Sequence, residues 1–266
     1  LKRTIKLVLK AIVVFVPLAY FFPKVILFYL VCGLYDVLRN RGLDFSVITQ
    51  YFLGNGTLTW VLSPFNILMD ILTLPFWNKG IYRLEDLPKP YQEEIKSLVE
   101  TAHRENLVAR LEERTKNQAR TMIFFKWYGA NVDTFVEIPE FHQKFRYIQT
   151  IGVSVFNKRE STSRHFGPLR TTLRVLYNIN TMEDNSAYIH VGTTNHYWRE
   201  DPLFIFDDTL LHQSFNESDK ARYCLFVDIV RPSLVSQLLV LIVAVLRLFL
   251  RSMNAIFYKN WKVIEK

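Results

Sequence analysis

Leu203-Phe204-Ile205-Phe206-Asp207-Asp208-Thr209-Leu210-Leu211-His212 and, shortly after it, Arg222-Tyr223-Cys224-Leu225-Phe226-Val227-Asp228-Ile229-Val230-Arg231-Pro232 decide how this chain is read. Two apolar runs rich in aromatic and β-branched residues, Leu203–Phe206 and Tyr223–Ile229, have the composition of buried strands, and Pro232 ends the second. Between them stand an acidic pair and a histidine, with Arg222 opening the second run ten residues after His212. Upstream, Thr121–Tyr128, Tyr147–Phe156, Leu173–Ile179 and Ala187–Val191 are runs of the same kind, separated by turn clusters such as Thr181–Ser186. Short strands at close spacing predict a mainly β sandwich or barrel.

The chain has six histidines. His103 falls in an amphipathic helical pattern and His142 in a polar loop, and both read as solvated. His190 lies in a predicted strand whose register is open. His196, beside Tyr197 and Trp198, is a candidate for lining a substrate mouth. His165 opens His165-Phe166-Gly167-Pro168 just before a strand, and His212 follows another. Two neutral imidazoles on adjacent strand ends can hold one divalent iron and leave positions for a chelating ligand and dioxygen. An arginine one strand away, Arg222, can pair bidentately with a carboxylate. The spacing alone is only suggestive. The Asp207-Asp208 pair admits an acid/base reading, but shaping the turn that presents His212 is the stronger one.

The stretch from Ser154 to Pro232 resembles the aspartyl/asparaginyl β-hydroxylase family, which includes bacterial hydroxylases of lipid A and ornithine-lipid acyl chains. The matching residues are His165-Phe166-Gly167-Pro168, Leu173-Arg174, Val191-Gly192 ahead of Tyr197-Trp198-Arg199, Ile205-Phe206-Asp207-Asp208 with His212, and Arg222 with Val227-Asp228-Ile229 and Pro232. The resemblance implies a double-stranded β-helix (a cupin-like jelly roll), Fe(II) bound by His165 and His212, and 2-oxoglutarate as co-substrate. Arg222 would hold the distal carboxylate of 2-oxoglutarate, with Arg174 and Ser154 as further contacts. Gly167 stands where a facial triad has its carboxylate, and Leu176 where the family often has a histidine. The implied activity is hydroxylation of a membrane lipid acyl chain or of a peptidyl Asp or Asn at the membrane surface. The alternative is a hydroxylase-fold structural subunit of a membrane protein complex.

Composition adds the membrane. Of 266 residues, 50% are apolar although 22% are charged, and the net charge is +8. The apolar residues are concentrated in the first 80 positions and in Leu234–Phe257. Cations flank these segments: Lys2, Arg3, Lys6 and Lys10 at one end, Arg247, Arg251, Lys259 and Lys262 at the other. Cations beside apolar helices suit anionic headgroups, so membrane lipids are the expected partner. Recognition motifs for nucleic acid are missing, and that partner is excluded. Cys32 and Cys224 lack metal-site spacing and read as reduced buried thiols.

The first apolar block, Ala11–Leu38, is interrupted by Pro17, Pro23 and Lys24, and the second, Leu58–Trp77, by Pro64, Asp70 and Pro75. Residues 1–83 therefore read as an anchor, either a kinked transmembrane helix or a hairpin, and charge bias places the catalytic domain on the cytoplasmic side. Residues 84–232 form the expected dioxygenase domain, opening on an amphipathic helix over Tyr91–Glu113. Residues 233–266 form a helix expected to lie on the membrane. The first residue is Leu1, so a preceding stretch is expected.

Overall fold

A computed structural model describes residues 20–40, 42–54, 57–250 and 261–264. Lys2, Arg3, Lys6, Lys10, Arg41, Arg251 and Lys259 lie outside the described residues. The strands are β1 (Ile81–Tyr82), β2 (Arg120–Trp127), β3 (Ala130–Asn131), β4 (Ile148–Phe156), β5 (Glu160–Ser161), β6 (Thr172–Asn178), β7 (Ala187–Val191), β8 (Thr194–Tyr197), β9 (Leu203–Phe206), β10 (His212–Asn216), β11 (Arg222–Val230) and β12 (Lys262–Val263). They form an eight-stranded sheet in the order β1-β9-β6-β11-β4-β2-β12, with β3 beside β2, and a four-stranded sheet in the order β5-β10-β7-β8. From β4 to β11 the chain changes sheet at each step except from β7 to β8, so that β9-β6-β11-β4 faces β5-β10-β7-β8. That winding is a double-stranded β-helix, as expected from the resemblance.

Every residue of β4 and β11 is buried, because the large sheet is covered on both faces. Outward-pointing Ile123, Phe125, Val153, Val175, Leu225 and Val227 share one core with Tyr91, Ile95, Leu98 and Leu111 of the helices. Inward-pointing Met122, Phe124, Leu176, Phe204, Phe206 and Phe226 share another with Ala187, Ile189 and Val191 of the small sheet. The period of two along each strand separates these two cores.

The covering helices include α5 (Lys89–Arg104) and α6 (Leu107–Thr115). One helix was expected over Tyr91–Glu113. The chain instead turns at Asn106, which takes a left-handed φ of 46°. Asparagine tolerates that conformation better than other side chains, and the turn lets both Leu98 and Leu111 reach the sheet. Strands β8 and β10 were not foreseen either. In β10 the inward residues are His212, Ser214 and Asn216, all buried, so its inner face is polar and breaks the expected apolar alternation.

Before the sandwich come α1 (Pro23–Leu38), α2 (Phe45–Thr49) with a π-helical turn over Gln50–Gly54, α3 (Thr57–Val61) and α4 (Ser63–Leu72); α7 (Pro139–His142) caps a loop and α8 (Ser236–Leu250) follows β11. Among the described residues no helix is long and apolar enough to cross a membrane. The expected transmembrane helix is therefore absent from the described part of the apolar blocks, whose stretch before Tyr20 lies outside it. The prolines account for the short pieces: Pro23 and Pro64 each sit in a helix's first turn, where the missing N–H is harmless.

Phe125 is fully buried, with its ring 5.0 Å from that of Phe141. Phe125→Ala should cost about 3–5 kcal/mol in urea unfolding. Phe28, 54% exposed on α1, should be neutral to within about 0.5 kcal/mol when changed to Ala. A small effect at Phe125 would contradict the two-core arrangement.

Candidate metal centre

His165 lies in the segment between β5 and β6, and His212 opens β10. An isolated antiparallel bridge joins them. The His165 N–H donates to His212 O at 3.0 Å, and the His212 N–H donates back to His165 O at 2.9 Å. This bridge lies beyond the β5–β10 ladder, past Ser161 and Phe215. The two rings are thereby brought to a centroid distance of 4.3 Å.

Each ring is fixed from behind. Nδ1 of His165 donates to Ser163 O at 2.7 Å and Nδ1 of His212 to Leu210 O at 2.8 Å. A carbonyl can only accept, so both Nδ1 atoms carry the proton and both Nε2 atoms keep a lone pair in the neutral form. His212 is neutral at pH 7, because burial and the nearby His165 push its pKa down to about 4. Its Nε2 lies 3.4 Å from Asp208 Oδ1. Burial would raise the Asp208 carboxyl, but Arg174 and the two imidazoles outweigh it and hold it below the usual range. A neutral imidazole lone pair thus faces a carboxylate, an arrangement that a shared cation relieves. Among the described residues no set of three or more His, Cys, Asp or Glu side chains is placed to close on a metal. The two imidazoles offer a pair of nitrogen donors, and Asp208 stands beside them.

Gly167 explains the missing carboxylate. A Cβ at this position would come within 2.6 Å of Asp208 Cγ and 2.7 Å of Asp208 O. The Asp208 carboxylate fills the space that a side chain on residue 167 would need. The Gly167 N–H donates to Asp208 O at 2.8 Å, which locks the two segments together.

The inner face of the large sheet runs from the histidines to Arg222. At the histidine end Arg174 binds Asp228 Oδ1 through Nε at 2.7 Å and lies 3.2 Å from Asp208 through Nη1. Its guanidinium covers the Phe226 ring at 3.7 Å. Leu176, opposite Phe226 on β11 and Phe204 on β9, makes the middle of this face apolar. At the far end Arg222 is 1% exposed, and its Nε and Nη1 have no hydrogen-bond partner. The rings of Phe156 and Trp198 flank it, and burial depresses its pKa. Ser154 is offset two residues along β4 on the same face. A buried guanidinium with unpartnered N–H groups is costly by itself and fits a carboxylate.

Some expected residues fall elsewhere. Trp198 is buried against Arg222, with its own Nε1 unpartnered, and is not at an exposed mouth. His196 stacks on Phe204 at 4.4 Å and donates from Nε2 to Asp201 O at 2.8 Å. His190 points away from the inner face and meets Asn195. His103 pairs with the Tyr177 hydroxyl. Asp208 was read as shaping the turn that presents His212 and its surroundings, and it does lie beside that ring, 3.4 Å from Nε2.

The family model described as aspartyl/asparaginyl beta-hydroxylase matches residues 90–232, more than half of the chain. An ornithine lipid ester-linked acyl 2-hydroxylase of Rhizobium tropici is 34% identical over 91 residues, covering 34% of this chain and 32% of that protein. The match therefore spans about a third of the relative's length. Among solved structures, an oxalate oxidase bound to glycolate is similar with a TM-score of 0.30 at 9% identity, over 45% of this chain and 55% of that one. A Pseudomonas putida prolyl-4-hydroxylase gives 0.26 at 12% identity, over 31% and 50%. On the extent of the family match, the chain belongs to the aspartyl/asparaginyl β-hydroxylase family.

Proposed function

We propose that this chain is an Fe(II)- and 2-oxoglutarate-dependent hydroxylase whose substrate is the acyl chain of a membrane lipid. The observation that carries the reading is the pairing of two imidazoles, each with Nε2 left to coordinate, with a buried Arg222 whose Nε and Nη1 lack hydrogen-bond partners across the same inner face. When bound, iron and 2-oxoglutarate supply the oxidising chemistry: dioxygen and the keto acid yield succinate, carbon dioxide and one hydroxyl on an unactivated carbon.

The chain's own groups do the rest. His165 and His212 would hold the metal, their orientation set by the carbonyls of Ser163 and Leu210. Arg222 would pair with the distal carboxylate of the keto acid, with Ser154 beside it. Arg174, already balanced by Asp208 and Asp228, would steady the end nearer the metal. Leu176, Phe204 and Phe226 exclude water from the space between.

The lipid substrate is supported by where apolar surface is left exposed. Among the described residues every exposed large hydrophobic side chain falls in 20–77 or 234–249, and none between. Phe28, Val31 and Leu38 of α1, Ile71 of α4, and Leu241 and Leu248 of α8 are among them. A surface so segregated marks an interaction face, and the exposed Lys24 of α1 suits anionic headgroups. Phe166 and Leu211, next to the two histidines, pack on Val37, Val47, Tyr51 and Trp60 of the same helical layer. The metal centre therefore lies behind the apolar helices. The relative's name specifies a lipid acyl chain, and this layout accords with it.

Four measurements test the reading. His212→Ala should remove stoichiometric iron uptake, and Arg222→Ala should remove 2-oxoglutarate binding while leaving iron uptake in place; iron retained in full by His212→Ala would refute the assignment. Lipid extracts of expressing cells should contain acyl species heavier by one oxygen atom, and an unchanged lipid profile would remove the substrate class. Phe28→Asp combined with Leu241→Asp should weaken binding to anionic phospholipid vesicles on the order of ten-fold or more.

A pH dependence follows from His212. Its folded pKa, about 4, lies below the ordinary imidazole value of 6.5. Between these values the unfolded chain binds more protons, so the metal-free protein should lose stability as pH falls through this window, by at most about 3 kcal/mol. His212→Gln should flatten that part of the urea-stability profile.

A further inference from the structure

A buried cluster of three arginines and three aspartates joins the N-terminal helices to the sandwich. Arg170, 1% exposed, is its centre. It donates through Nη2 to Asp36 of α1 at 2.6 Å and through Nη1 to Asp70 of α4 at 2.9 Å. Its Nε donates to Thr209 Oγ1 at 3.1 Å and lies 3.5 Å from Asp207. Arg231 binds the other oxygen of Asp70 at 2.6 Å, and Arg39 binds Asp207 at 2.9 Å. The charges balance, and half of the six come from outside the sandwich.

The same helices hold the backbone beside each histidine. Asn40 Oδ1 accepts the N–H of Leu211, the residue before His212, at 2.8 Å. Gln50 Nε2 donates to the carbonyl of Arg164, the residue before His165, at 2.9 Å. Asn66 donates to Pro168 O at 3.2 Å and accepts the Arg170 N–H at 2.9 Å. Both histidine segments are thus gripped from the same side. A site with only two protein donors depends on their separation more than one closed by a third.

We propose that α1, α4 and the turn after α2 are a brace that sets the spacing of the two imidazoles, with Asn40, Asp36, Asp70 and Gln50 as positioning residues. The proposal rests on the reading of His165 and His212 as metal ligands. The N-terminal helices then belong to the site's own support, in addition to facing lipid.

The test uses the full chain, anaerobic titration with Fe(II) alone, and hydrogen exchange over 162–170 and 207–213. Asn40→Ala should weaken Fe(II) binding on the order of ten-fold, the usual scale for losing a group behind a ligand. Exchange should quicken at Leu211 and His212. Asn40→Asp, which keeps the acceptor, should recover most of the affinity, a result that general loosening would not give. Gln50→Ala, at the partly exposed edge, provides a second reading should Asn40→Ala fail to fold, with a smaller loss of affinity and faster exchange near His165. Parent-like affinity in the folded variants would overturn the brace. If the parent chain takes up no Fe(II), the hydroxylase reading fails separately. Exchange then decides the brace: quickening confined to the two histidine segments supports it, and unchanged exchange overturns it.

Discussion

The two-way backbone bond between His165 and His212 is the constraint from which the rest of the centre follows. Neither histidine is adjacent to the other in sequence, and the loop carrying His165 has no regular structure of its own. An isolated antiparallel bridge, four residues on from Ser161 and three back from Phe215 on β10, pins that loop to the start of β10. The imidazoles then project from paired positions, which places them within contact of each other. Two backbone carbonyls complete the arrangement by fixing which nitrogen carries the proton. Moving the register by one residue would turn one ring to the opposite face and leave a single donor.

Much of this was legible in the sequence, and the reasons are physical. Strands β4 and β11 are buried on both faces and so read as near-continuous apolar runs. The histidine and arginine spacing was only suggestive, and the family resemblance carried the expectation of a metal centre. Strand β10 was hidden because its inward residues are polar, which is the pattern a site-lining strand must have. The turn at Asn106 was passed over although it leaves a phase break: on a continued helix Leu107 and Leu111 would fall on the face opposite Tyr91, Ile95, Leu98 and Ala102. Trp198 could not be aimed from sequence, since the Arg222 it packs against belongs to the separate strand β11.

The N-terminal block shows a different limit. Its hydrophobicity suggested a membrane and nothing else, yet Cys32, Gly33, Asp36 and Val37 form a buried stripe on α1 while the remaining turns stay exposed. Asp36 in an apolar helix was the visible anomaly. Its partner Arg170 lies 134 residues away, so no local pattern could pair them. One helix layer thus has a polar-keyed face toward the protein and an apolar face away from it. Composition reports the second face and is silent about the first.

The contact between Gly167 and Asp208 bears on how such a centre can change over time. A Cβ at position 167 would meet the backbone carbonyl of residue 208 at 2.7 Å as well as its carboxylate, so emptying 208 alone does not open the space. Adding a side chain at 167 requires the backbone of the turn opposite to move, and that turn also carries the carboxylate beside His212. The bare position at 167 is in that sense entrenched: it is held by the path of the neighbouring chain, whatever the merits of a third donor.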